Sequence, residues 1–253
     1  MNQNQNRIYL NVPFAQKDEV KKLGAKWDAD SRGWWIPISP VDERFYDWVP
    51  QIYRQTPPVL KPDLIPEPCW GLNLRSLLTA EAWQDLRTAT FEQAGKRCVI
   101  CGGRGPKWPV ECDEEWEFIE DLGQPGHGCQ RLIGLRALCP GCHAAKHIGK
   151  AHVDGREEEA FDQLSYVNSW TQEQCEAYVS LAFTEFDRRS EMTWSMDLSI
   201  LQQWGISEVM LNAYDFEPIP LIEGVEVVVF PTYSMIFNLA SEAVDINQLL
   251  SSS

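Results

Sequence analysis

Apolar positions near the start of the chain follow two rhythms. Residues 7–12 alternate, with Ile8 and Leu10 on one side, which predicts a short strand. Residues 15–23 repeat with helical spacing and run into Gly24, a suitable helix stop. A turn over 28–33, a second strand over 34–37 and a second helix over 41–49 complete a small strand–helix–strand unit. Its expected core is Leu10, Leu23, Trp27 and Trp35. The next run, TPPVLKPDLIPEP, places five prolines in thirteen residues and predicts extended backbone.

Farther along, the spacing predicts a helix over 79–94, capped by Thr79 and stopped by Gly95. Another is expected over 157–167. Thr171 and Gln174 have the separation of a capping box and open a third helix that reaches about residue 189. A shorter helix over 197–204 ends at Gly205, and EVVVF over 226–230 reads as a strand. The tail after residue 243 is expected to fray. The class implied is α+β, in five parts. These are a small module (1–55), a proline-rich linker (56–78), a cysteine-rich domain (79–152), a helical extension (153–205) and an acidic C-terminal segment with a short sheet (206–253).

Charge changes this picture. The chain has 253 residues, 22 Lys+Arg and 37 Asp+Glu, for a net charge of −15. Residues 1–150 carry 19 basic and 19 acidic side chains, so the remaining 3 basic and 18 acidic ones place the whole excess in 151–253. Phosphate backbones are gripped by Lys and Arg, so this half disfavours nucleic acid and anionic membranes and suits a basic protein. Candidate contacts are Glu157, Glu158, Glu159, Asp162, Glu185 and Asp187. No apolar run is long enough to span a bilayer, and no secretory signal pattern opens the sequence. A cytoplasmic setting is expected, in which eight cysteines point to metal rather than disulfides.

The cysteines carry the sharpest signal. Cys98 and Cys101 form one CxxC, and Cys139 and Cys142 form another. Two such knuckles complete a four-thiolate zinc site, with Gly102, Gly103, Pro140 and Gly141 supplying the tight turns. Cys69, Cys112, Cys129 and Cys175 have no partner at ligand spacing and read as small buried hydrophobes. A closed thiolate site performs no chemistry. Catalysis would need neighbours such as His143 and His147, four apart on one helix face, and the acids between Glu111 and Asp121.

The CxxC, the stretch PVECDEEWEF and the stretch QRLIGLRALCPGCHAAKHIGKA together resemble the HNH-type endonucleases with a zinc-bound treble clef. The likeness continues to about Gly205. It implies a zinc-bound ββα domain. It also places Asp113 where the family carries a histidine general base and Gly134 where it often carries asparagine. His143 matches the last family histidine, a metal ligand. Residues 8–37 resemble a small domain of primases of conjugative plasmids and phages, on the segments LNVPF, KLGAKWD and GWWIP.

Three functions fit. In the first, an HNH-like fold has lost its base and serves as a zinc scaffold. Its acidic surface then binds a basic or nucleic-acid-binding protein complex, such as a CRISPR effector or restriction enzyme of the host. Seven acids between Glu111 and Asp121, with no base among them, are expected to repel a scissile phosphate. In the second, Asp113, His143 and His147 hold Mg²⁺ or Mn²⁺ and cut DNA. In the third, Lys17, Lys21, Lys22 and Lys26 on or near the first helix form a modest basic face that binds nucleic acid, with the acidic part regulating it; the alternative is a solvated helix face paired with Asp18 and Glu19.

Overall fold

A computed structural model describes residues 6–38, 41–107, 109–121, 123–206, 217–218, 226–230 and 233–237. In chain order the elements are β1 (Arg7–Tyr9), α1 (Lys17–Leu23), β2 (Lys26–Asp28), β3 (Gly33–Pro37), α2 (Leu74–Leu77), α3 (Ala80–Gln93), β4 (Glu111–Glu120) and β5 (His127–Leu138). There follow α4 (Pro140–Lys146), α5 (Ile148–Val153), α6 (Glu157–Asn168), α7 (Gln172–Ser190), β6 (Thr193–Asp197), α8 (Ile200–Gln203), β7 (Glu217–Pro218), β8 (Glu226–Phe230) and β9 (Tyr233–Phe237). The class is α+β, with two sheets and several helices. Among the described residues no helix is long and apolar enough to cross a membrane. The expected frayed tail after residue 243 lies outside the described residues.

The chain divides into two units. The first comprises 1–64, 90–113 and 137–180; the second comprises 65–89, 114–136 and 181–253. In the first unit, β1, β3 and β2 form an antiparallel sheet in that order. Helix α1 ends where Gly24 turns left-handed at φ 105°, a conformation that glycine adopts without strain. The small core beneath the sheet is Ile8, Leu10, Val20, Ile36, Phe45 and Trp48. Leu23 packs against it, but Trp27 and Trp35 are not part of it, contrary to expectation; Trp35 alternates with the inward-pointing Ile36 and so faces the other side of the sheet. Strand β2 lies at the sheet edge, which leaves Trp27 53% exposed, edge-on to Trp34 at 5.4 Å. The helix expected over 41–49 is a 3-10 helix, Glu43–Trp48, begun by the Asp42 carboxylate accepting from Arg44 N–H.

This module is joined to the first cysteine knuckle by backbone. Gln51 and Ile52 donate to the carbonyls of Val99 and Ile100, each at 2.9 Å. The Asn11 amide reaches the carbonyls of Ala94 and Arg97. The proline-rich run after it is extended, and its residues Val59 and Leu60 are buried. Their N–H groups share Asn168 Oδ1 at 2.7 and 3.1 Å, and Asn168 Nδ2 returns a bond to Leu60 O. This segment therefore supplies core to a cluster that includes Ile100, Leu138, Ile148 and Leu164.

In the second unit the strands run β4-β5-β6-β9-β8-β7. The β5–β6 and β6–β9 pairs are parallel, while β8 pairs antiparallel with both β9 and β7. Trp194, fully buried, sets the core with Leu74, Leu86, Leu132 and Met196. Gly128 gives it room, since a Cβ there would fall 2.4 Å from the indole. The helix expected over 197–204 begins later, at Ile200, because Asp197 still pairs in β6. Asn73 and Ser76 form a capping box on the unanticipated α2.

Candidate functional site

Each cysteine pair sits on a tight turn. Gly102 N–H bonds to Cys98 O, and Cys98 N–H to Gly103 O, which closes the first knuckle directly behind Cys101. Cys139 is the N-cap of α4, and its sulfur accepts from Cys142 N–H. The four sulfurs lie within 4.8 Å of one another, and Cys101 Sγ is 3.7 Å from Cys139 Sγ. A tetrahedron with metal–sulfur bonds of about 2.3 Å has edges of roughly 3.8 Å, so the spacing fits. All four are free thiols. Hydrogen bonds from the thiols of Cys101, Cys142 and Cys98 pull Cys139 below the usual thiol range, while contacts with Cys101, Cys139 and Cys98 push Cys142 up. Among the described residues no Lys or Arg bonds to a sulfur of the set; the donors are backbone N–H groups and a side-chain amide. Gln163 Nε2, 3.1 Å from Cys142 Sγ, and Gly103 N–H, 3.4 Å from Cys101 Sγ, orient the sulfurs from outside. These four residues can hold one metal ion such as zinc.

The second constellation lies on β4 and α4. Asp113 is fully buried. Its Oδ2 takes the Lys146 ammonium at 2.9 Å, and Lys146 is itself 3% exposed. Its Oδ1 is 3.0 Å from His147 Nε2 and 3.9 Å from His143 Nε2. Burial holds the His147 pKa below its usual value, against the pull of Asp113. The Nδ1 of His143 faces Glu111 at 2.9 Å, and that contact lowers the Glu111 pKa. The expected grouping of Asp113, His143 and His147 is thus met in space, within 4.8 Å. Lys146 is the member that sequence reasoning missed. It already supplies the positive charge that a second metal ion would bring, at a distance where two cations repel strongly.

The acids between Glu111 and Asp121 are also individually met, which corrects the expectation of unrelieved repulsion. Glu114 accepts from Leu74 N–H and Trp116 Nε1. Glu115 pairs with Arg136, Glu117 with Arg131, and Glu120 with Arg188. Asp121 accepts from Gly123 N–H at 2.8 Å. Gly134 lies on β5 near Glu115 and carries no side chain that could orient a base.

The candidate partner contacts fall into two groups. Glu158, Glu159 and Asp162 line an open groove of about 590 Å³ along α6, with Arg156, Gln163 and Tyr166. Glu159 pairs with Arg156, and Glu157 with His152. Glu158 and Asp162 make no ion pair among the described residues and are exposed. On α7, in the other unit, Glu185 is claimed by both Arg188 and Arg189, while Asp187 is exposed. Of the remaining cysteines, Cys69 and Cys175 are buried as expected, whereas Cys112 and Cys129 are partly exposed.

Residues 7–50 match a family described as a domain of unknown function, DUF5710. Two curated relatives share this part. One DNA primase TraC of Escherichia coli is 52% identical over 42 residues, which is 17% of this chain and 4% of the relative. A second DNA primase TraC of Escherichia coli is 43% identical over 42 residues, 17% of this chain and 3% of the relative. The similarity therefore concerns one small module and spans a small fraction of either primase. No solved structure matches the chain.

Proposed function

We propose that this chain is a non-catalytic binding protein of a mobile genetic element. A structural zinc ion at Cys98, Cys101, Cys139 and Cys142 would fix an HNH-like treble-clef scaffold. The acidic edge of α6 would dock on a basic or nucleic-acid-binding defence complex in the cytoplasm, of CRISPR-effector or restriction type. The order β4, β5, α4, with a knuckle at the start of α4, supports the HNH-like reading. The likeness of the N-terminal module to DNA primases supports the mobile-element setting.

The observation that carries the non-catalytic reading is the Asp113–Lys146 pair. A general base must reach water and accept its proton. Asp113 reaches neither solvent nor substrate, and a buried ammonium holds its charge in place. Open carboxylates at Glu158 and Asp162 support the docking reading, because Asp and Glu arrays can occupy Lys/Arg grooves built for phosphate.

The test has two arms. Supercoiled plasmid incubated with the protein and Mg²⁺, Mn²⁺ or Ni²⁺ should stay intact. Among purified CRISPR-effector and restriction complexes, at least one should bind in a salt-dependent way. Glu158→Lys with Asp162→Lys should weaken that binding by roughly tenfold or more. Binding indifferent to those changes would reject the docking surface. A second reading, metal-dependent nuclease, is favoured by the closeness of Asp113, His143 and His147. Nicking that His143→Ala abolishes would establish it.

A further inference from the structure

The outer side of the N-terminal sheet has a composition different from the rest of the molecule. The register places Tyr9, Trp35 and Lys26 in one row across β1, β3 and β2. Ile8 and Ile36, one residue over, point into the core. On the outer side the Arg7 guanidinium lies 4.2 Å from the Trp35 ring centroid, and Lys26 Nζ lies 5.2 Å from the same ring. Asp28, the carboxylate on these strands, is fully engaged. It accepts from Tyr9 Oη at 2.6 Å, from Arg7 at 3.0 Å and from the N–H groups of Asp30 and Ser31. Asp30 and Arg32, in the turn, cancel in net charge.

Two more arginines converge on that turn. Arg97 stacks on Tyr9 at 4.4 Å and donates through Nη2 to Ser31 O at 2.8 Å. Arg104 donates to the same carbonyl at 3.5 Å. Arg97 is buried, its hydrogen bonds go to the carbonyls of Ser31 and Gly102, and among the described residues no carboxylate bonds to it, although the charge of Asp28 lies near. Arg104 lies close enough to act against the Arg97 charge, and two neighbouring guanidiniums are unfavourable unless an anion joins them.

We propose that this sheet face binds single-stranded nucleic acid, with bases stacked on the Trp35–Arg7 platform and phosphates met by Lys26 and Arg104. Flat rings and guanidinium planes accept bases of any sequence, and neighbouring cations follow the backbone. Duplex is the poorer ligand because its bases are already stacked. The surface shares only Lys26 with the basic face expected from sequence, since Lys17, Lys21 and Lys22 lie on α1 rather than on the sheet.

The experiment is fluorescence anisotropy of the full chain with labelled fifteen-nucleotide oligo-dT and oligo-U, the two arms separating DNA from RNA. At least one should bind at low salt, with a log–log salt slope of about −1.4 for two phosphate contacts. Lys26→Glu with Arg104→Glu should weaken binding by about tenfold or more. An abasic strand of equal length should bind about fivefold more weakly or worse. Lys21→Glu with Lys22→Glu should change affinity less than about twofold. All four lysine and arginine positions are exposed, so circular dichroism should be unchanged. Absence of binding to either strand, equal binding of the abasic strand, or loss confined to the Lys21/Lys22 variant would overturn the proposal. Equal binding of an Asp/Glu-rich peptide would also overturn it.

Discussion

The four-cysteine cluster and the Asp113 cluster are both compact sets of metal-ligating residues, and both are anchored on α4. They differ in where the balancing charge comes from. Around the cysteines no Lys or Arg bonds to a sulfur among the described residues; the donors are backbone N–H groups and the Gln163 amide. Around Asp113 the chain supplies its own cation, Lys146, buried beside it. Proximity of ligand atoms alone would rank the two as equals. Charge balance separates a set with no cation bonded to it among the described residues from one that holds a buried ammonium.

The largest effect should come from the cysteines. Structural zinc sites contribute about 10–16 kcal/mol of apparent binding energy to folding. Cys142→Ser, or removal of metal by a strong chelator, should therefore abolish the cooperative melt of the first unit. Hydrogen exchange over residues 50–64 and 137–180 would report it. A chelated protein with an unchanged melt would place the cysteines among ordinary core residues.

Next in size is Lys146→Met, which leaves Asp113 charged and buried. Removing one partner of a buried pair costs about 3–5 kcal/mol. Adding Asp113→Leu should restore most of the loss, since an apolar pair of similar volume replaces the ionic one. Urea denaturation of the two variants would show it. If Lys146→Met costs nothing, the ammonium is not what balances Asp113.

His147 gives a pH signature of the same cluster. Its folded pKa is lowered by burial, so the unfolded chain binds the proton more readily. Stability should be full above the unfolded value of about 6.5 and fall as pH drops from there toward the folded pKa. His147→Gln should flatten this dependence, provided that metal content is constant across the range. The smallest effect should be that of His143→Ala. Its ring is partly exposed and its partner Glu111 more so, and exposed pairs contribute about 0–1 kcal/mol.

Local signals in the chain were readable because they depend on neighbours in sequence. The CxxC pairs come together as their spacing predicts. Thr171 and Gln174 exchange both capping-box bonds, at 2.9 and 3.3 Å. What the sequence hid depends on distant partners. A lysine between two histidines reads as a surface residue, and only the packing of α4 beside the start of β4 buries Lys146 against Asp113. The acids after Glu111 read as a field of repulsion because Arg131, Arg136 and Arg188 lie far along the chain. Trp27 read as core because size suggests burial, yet the edge position of β2 leaves it outside. The proline count suggested a spacer at 56–68, but Val59 and Leu60 within it carry the apolar surface that Asn168 clamps.

Native mass spectrometry of the protein purified from medium containing zinc decides between the two clusters. One zinc ion per chain is expected, lost in Cys142→Ser and retained in His143→Ala and in Asp113→Asn. A second bound ion, or loss of the single ion in the histidine variant, would show that the Asp113 cluster is a metal centre and that Lys146 does not complete it.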